Sequence, residues 1–175
     1  MSELTFTEEQ WFSKKMVLPL IILFTALIAG FLCWGIVQQL LFGKPFGNHP
    51  ESNTSLLITN ILIFIFILVM DWLLLKVKLV TEINRDAIRY RFYPFILRDR
   101  FIYWQDIEKA YVRQYKPMIE YGGWGIRYGF NGKALNIKGN KGLQLELKNG
   151  KKLLLGTQKP EELEELLRTL GKERH

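Results

Sequence analysis

Few side chains in this sequence are of a kind that makes or breaks bonds. The one cysteine, Cys33, sits inside a hydrophobic run, where a thiolate is disfavoured. A lone cysteine also excludes an intrachain disulfide framework and a Cys-based zinc site. The two histidines, His49 in a Gly/Pro-rich connection and His175 at the C-terminal end, leave almost nothing for His-ligated metal or acid–base chemistry. The sequence places no pair of acids in a dry pocket. No catalytic residue, metal or cofactor is expected, and the chain reads as a non-enzyme.

Binding chemistry is better represented, in three places. In Tyr121–Arg127 (YGGWGIR), Gly122, Gly123 and Gly125 let the backbone come close to a ligand or take positive φ, free N–H groups can cradle an anion, and Arg127 adds charge. Neither the Gly-Lys-Ser/Thr of a P-loop nor G-x-G-x-x-G is present. The competing reading is a structural loop pinned by Trp124 packing into the core. The second place is Lys78 with Arg89-x-Arg91. Residues two apart on a strand share a face, so the two arginines project together and could meet an anionic headgroup. A solvated strand face gives the same pattern. The third is the pair of polar residues within the hydrophobic runs, Asn60 and Asp71. A proton or ion relay would need more such groups. The alternative for Asp71 is an interfacial acid beside Trp72, paired with Lys14, Lys15 or a lipid amine.

The elements that must carry these residues divide sharply. Val17–Leu41 and Leu56–Leu75 are two apolar runs, each long enough for a helix to cross a hydrocarbon core of roughly 30 Å at about 1.5 Å per residue. A cleaved signal peptide is a poor fit to the first run, which extends well past the usual h-region of about 7–15 residues. A lipoprotein reading of Cys33 fails on the bulky Phe31 and Leu32 before it. Pro19 lies in the first turn, where it costs little. Phe42–Ser55, rich in Gly, Pro, Asn and Ser, reads as the turn between antiparallel helices. Asn53-Thr54-Ser55 matches a glycosylation sequon and is taken as coincidence. Ala26-x-x-x-Gly30 offers a small-residue step for close helix approach. Lys14 and Lys15 flank one side and Lys76, Lys78 and Arg85 the same side, against Lys44 alone in the connection. The basic flanks put both termini in the cytoplasm, in a multi-pass cell-membrane protein.

From Lys76 onward there are 21 Lys+Arg against 12 Asp+Glu, a net of +9. Here short alternating runs recur: Lys78–Ile83, Ala87–Tyr93, Arg100–Trp104, Ile107–Tyr115, Ala134–Ile137, Leu143–Lys148 and Lys151–Leu155. Asn149-Gly150 between the last two is a strong hairpin signal. Trp104, Tyr90, Phe92, Tyr111 and Phe101 are predicted to fill the core. Pro160 opens a helix with four glutamates in its first turns, and Leu163, Leu166, Leu167 and Leu170 form one apolar stripe. The predicted organisation is an N-terminal cytoplasmic segment 1–16, a transmembrane hairpin 17–75 and a cytoplasmic domain 76–175. That domain is an all-β sandwich or barrel of about seven strands with a C-terminal capping helix.

Tyr121–Gly129 (YGGWGIRYG), Leu135–Gly142 (LNIKGNKG) and Gly156–Leu163 (GTQKPEEL) resemble the bacterial membrane-anchored pleckstrin-homology-like (PH-like) proteins, over roughly residues 76–172. The resemblance implies a PH-like fold behind two transmembrane helices and says little about function. The final helix carries only leucines where eukaryotic PH domains typically have a tryptophan, a departure that puts the transfer of their phosphoinositide binding in doubt. The expected partners are membrane lipids with anionic headgroups, or a protein partner or second copy of the chain. Nucleic acid is not expected, because no recognisable module accompanies the basic charge. The function read from sequence is a non-catalytic membrane protein presenting a basic PH-like domain at the inner membrane surface. The alternative is an assembly subunit that self-associates through that domain. A channel or transporter finds little support in two helices with only Asn60 and Asp71.

Overall fold

The computed structural model describes residues 5–47 and 50–173, apart from the side chain of Met16; His49 and His175 lie outside the described residues. The chain forms two compact units, residues 13–76 and residues 1–12 with 77–175.

The first unit is helical. Helix α1 spans Lys14–Ile36 and continues through a π-helical turn, Val37–Leu41; α2 spans Asn53–Leu75. Both are long and apolar enough to cross a membrane, with mean hydropathies of 2.6 and 2.5, and only 6% of each apolar window is buried. Core helices of a soluble protein bury such residues; these leave Leu20, Phe24, Leu62 and Phe66 open to their surroundings. Helix α2 starts three residues before the apolar run because Ser52 caps it, its Oγ accepting from Ser55 N at 3.2 Å. The sequon therefore lies in the helix's first turn. In the connection, the Phe46 ring packs edge-on against Trp34 and Phe31, with centroids 5.5 and 5.6 Å away. Gly30 meets nothing within 4 Å, so the small-residue step does not mediate an approach within the chain.

The second unit is a β-sandwich of two sheets with a C-terminal helix, not a closed barrel. All seven predicted strands form, and two more join them. One is β1, Phe6–Trp11, from the segment expected to stand apart at the N-terminus. It pairs antiparallel with β2, Lys78–Ile83, which pairs with β3, Ala87–Tyr93, which pairs with β4, Arg100–Tyr103. The second sheet runs β5-β8-β9-β7-β6, from β5 (Ile107–Gln114), β6 (Gly125–Gly129), β7 (Gly132–Asn136), β8 (Lys141–Leu147) and β9 (Lys152–Gly156). Its β7–β9 pair is parallel and the rest antiparallel. Strand β6 hid in the Gly-rich stretch, because glycine carries no side chain to display alternation.

The inward positions, Leu79, Ile83, Ile88, Phe92, Leu135, Leu143, Leu145 and Leu155, make one core. Helix α4, Pro160–Thr169, adds Leu163, Leu166 and Leu167, as its stripe predicts. Trp104 and Phe92 are buried, and Tyr90 packs against the core. Phe101 does not fill the core: it is 54% exposed, because in β4 it is Ile102, opposite Ile88, that faces inward. Tyr111 is only partly buried and bonds Glu146.

Strand β1 reads poorly as a strand because its inward side is polar. Phe6, Glu8 and Gln10 are buried while Thr7, Glu9 and Trp11 are exposed. The Glu8 carboxylate accepts from Thr157 Oγ1 at 2.6 Å and from Gln158 N at 2.7 Å, and Gln10 Nε2 donates to Gly156 O at 2.6 Å. Hydrogen bonds to the end of β9 and to the two residues after it, together with the buried Phe6 ring, hold this edge. The unit's boundaries also change the charge: residues 1–12 and 77–175 hold 20 Lys+Arg against 15 Asp+Glu, a surplus of +5 rather than +9, Glu8 and Glu9 of the strand accounting for half the difference.

Candidate functional site

Antiparallel pairing of β2 with β3 sets Arg89 opposite Glu82, and the turn to β4 brings Asp99 beside both arginines. The turn into β3 is closed by Asn84, whose Oδ1 accepts from Asp86 N and Ala87 N at 3.0 and 2.8 Å. Arg89 is paired with Glu82 and, at 3.1 Å, with Asp99; Arg91 Nε lies 3.7 Å from Asp99. The hydrogen bond that Arg89 donates to Glu82 raises the guanidinium further above its ordinary value. Two guanidiniums thus face two carboxylates, and the pair presents no surplus charge. Lys78 is likewise occupied, 3.4 Å from Glu9 and 4.7 Å from the centre of the Trp11 ring.

The Gly-rich loop is wired internally. A short helix α3, Pro117–Tyr121, ends at Gly122, whose φ of +70° is the left-handed turn that a helix C-terminus asks of glycine. Gly122 N and Gly123 N donate to Met118 O and Pro117 O at 3.1 and 2.9 Å, and Gly125 N donates to Asn136 Oδ1 at 2.9 Å. These are the N–H groups an anion would need. Asn136, fully buried, passes the link inward by donating from Nδ2 to the Tyr115 hydroxyl at 2.9 Å. Trp124 does not pack into the core. It is 40% exposed and fastens the loop through Nε1 to Gly139 O at 2.9 Å, since the positive-φ glycines on either side turn it along the surface. Arg127 Nε donates to Trp124 O at 2.9 Å, and the residue stays exposed.

Beside this loop lies an ion pair the sequence did not reveal. Arg113 Nη2 meets Glu120 at 2.8 Å and the Tyr121 hydroxyl at 3.3 Å, while Arg113 Nε donates to Gln144 at 3.0 Å. The Arg113 hydrogen bond holds the Glu120 carboxyl below the usual carboxylate range, assisted by Lys116 N and Asn131. The partners come from β5, α3 and β8, so no local spacing announces them.

In the helical unit, Asp71 takes a different partner from those expected. Its Oδ2 accepts from Thr25 Oγ1 at 2.7 Å, across from α1 to α2. Asn60 donates to Leu56 O at 2.8 Å, one turn back in its own helix. The two polar groups do not meet.

Two surface features were not singled out from the sequence. At one end of the first sheet, where Trp11, Lys78 and Tyr93 are successive register partners, Trp11, Phe95 and Leu97 are exposed, with Arg98 and Arg100 close in sequence. Elsewhere an open groove of about 670 Å³ runs between β4 and the tips of the β6–β7 and β8–β9 hairpins. Its walls include Tyr90, Ile102, Leu147 and Leu153, and its rim Tyr128 and Phe130. A run of lysines, Lys151 and Lys152, was the one available signal, and it falls at a hairpin where solvated lysines are ordinary.

No curated protein matches the sequence. Residues 2–170 match the model of a family of unknown function (DUF6141), so the chain belongs to that family over nearly its whole length.

Proposed function

We propose that this is a non-catalytic, membrane-anchored protein that holds a basic PH-like sandwich at the cytoplasmic membrane surface, where it engages anionic lipid headgroups. The observation that carries the reading is the β1–β2 pair. Strand β1 leads into α1, α2 leads into β2, and Trp11 is the register partner of Lys78. One sheet cannot straddle a bilayer, so both outer ends of the helical hairpin lie on one side and the connection 42–52 on the other. Lys14, Lys15 and Lys76 flank that shared side against Lys44 in the connection, which favours the cytoplasm.

The succession of strands with a closing leucine-striped helix supports the PH-like reading, and the parallel β7–β9 pair and the added β1 are departures from it. With Arg89 and Arg91 already paired, the basic surplus acts as a diffuse field rather than a preformed arginine clamp. A tethered basic surface gains about 1 kcal/mol per cation that reaches anionic headgroups. Exposed Trp11, Phe95 and Leu97 at the tethered end of the sheet suit the interfacial zone.

Two measurements test this. With Cys33→Ser as background, an impermeant maleimide is expected to label Lys44→Cys in intact cells and Lys138→Cys only after lysis; labelling of both from outside would reject the topology. Hydrogen exchange of the full chain in nanodiscs is expected to slow on the sandwich with anionic lipid and to recover at high salt. Equal exchange in neutral and anionic discs would reject headgroup binding.

The second reading, an assembly subunit, is favoured by exposed Phe101 and Tyr103 on β4, a strand with one open edge. Under it, Phe101→Glu lowers the mass of the detergent-solubilised particle.

A further inference from the structure

We propose that the groove between β4 and the two hairpin tips binds a single-chain anionic amphiphile, its acyl chain along Ile102, Leu147 and Leu153 and its acidic head at Lys133 and Lys151. The proposal rests on the membrane-anchored reading for its source of ligand and names a site that reading leaves open.

The groove has the size of ligand pockets, which run from about 300 to 1,000 Å³. Its described lining contains three lysines, three aromatic rings and three aliphatic side chains, and no acid. Lys152 is neutralised by Glu146 at 3.0 Å. Lys133 lies 5.6 Å from the centre of the Tyr128 ring, and Lys151 has no ion-pair partner among the described residues. Two cations therefore remain for a guest. Tyr90 adds a donor: its hydroxyl has no hydrogen-bond partner among the described residues, and burial pushes its ionisation up, so it keeps its proton.

The walls are set by backbone. A Cβ on Gly132 would sit 2.3 Å from Lys152 O, so the β6–β7 tip lies directly against the start of β9 and only glycine permits that approach. Phe130, fully exposed, and Tyr128, three-quarters exposed, stand on this tip with no core to fill. Aromatic rings at the mouth of an apolar trough, with lysines beside them, match a ligand that is oily along its length and anionic at one end. The anchor keeps the trough in the company of such molecules. The paired arginines of β3 offer no free charge, and the wired Gly-rich loop, with Arg127 exposed, offers no apolar trough.

The test uses the full chain in zwitterionic nanodiscs and two photoactivatable probes, a palmitate and a palmitoyl lysophosphatidate, with crosslinks located by peptide mass spectrometry. Palmitate labelling of residues 128–133 and 151–153, displaced by unlabelled palmitate, is expected for a carboxylate head; preferential labelling there by the lysophosphatidate assigns a phosphate head. Lys133→Glu with Lys151→Glu is expected to cut this labelling about tenfold while labelling of residues 17–75 persists. Phe130→Ser, at a fully exposed tip where folding is not at stake, is expected to weaken it by a smaller factor. Crosslinks from both probes confined to residues 17–75, or groove labelling indifferent to the double charge reversal, would overturn the proposal. Zwitterionic discs separate this outcome from the headgroup reading, which needs anionic lipid.

Discussion

The two units treat buried polarity in opposite ways. In the helical unit the apolar runs hold few polar groups, and Thr25 with Asp71 and Asn60 with its own helix backbone bond as isolated pairs, while Gln39, Glu51, Asn53 and Ser55 cluster at the connection. In the sandwich, polar groups are joined in networks that cross both sheets. Glu8 ties β1 to the segment before α4, and Arg113 joins β5 to α3 and β8. A membrane-spanning helix closes its backbone bonds within itself and needs little from its neighbours. A sandwich edge has no such closure. Here an N-terminal strand with an acid on its inner face is tolerable only because the facing segment supplies two donors.

That contrast is broken most severely at Glu8. Glu8→Ala leaves the Gln158 N–H and the Thr157 hydroxyl without their acceptor and is expected to cost the sandwich about 3 kcal/mol. Thermal unfolding followed by near-UV circular dichroism reads this, and faster hydrogen exchange of Phe6–Trp11 should accompany it. If β1 remained as protected as before, the polar anchor would not be what holds it.

Glu120 comes next, with an effect that depends on pH. Its folded-state ionisation lies below the unfolded value of about 4.3, so the stabilisation is complete above that value and is lost as pH falls through the folded one. Glu120→Gln is expected to cost about 1.5 kcal/mol at neutral pH and progressively less as acidification protonates the carboxyl. A constant loss across that range would mean that packing, not the charge pair with Arg113, explains the residue.

The smallest effect is expected at Thr25. Thr25→Val removes the donor to Asp71 and should weaken the helix pair by about 1 kcal/mol, visible as a lower detergent-unfolding midpoint of helicity with the sandwich unchanged. A sandwich that melted with it would end the picture of two separately held units.

The helical unit was legible almost in full because its signal is additive: some twenty apolar residues per run suffice whatever surrounds them. The seven predicted strands and the leucine stripe of α4 were legible for a similar reason, since alternation and helical period survive in one dimension. Strand β1 was missed because Glu8 and Gln10 occupy the positions where alternation expects apolar side chains. Strand β6 was missed because its glycines suppress the pattern. Phe101 was misassigned because a four-residue strand with Phe101 and Tyr103 on one face and Ile102 on the other does not say which face turns inward.

Sequence alone determined which segments are apolar helices, where seven of the strands run, and that the chain lacks the cysteines and histidines of familiar metal chemistry. Only the tertiary structure decided that β1 belongs to the sandwich, that Arg89 and Arg91 are cancelled by Glu82 and Asp99, that Asp71 belongs to Thr25, and that a lysine-rimmed groove lies beside β4. Hydrophobic periodicity is a local quantity carried by neighbouring residues. Polar pairing and concavity are made by residues that the fold brings together, as with Glu8 and Gln158 a hundred and fifty positions apart, and no spacing along the chain encodes them.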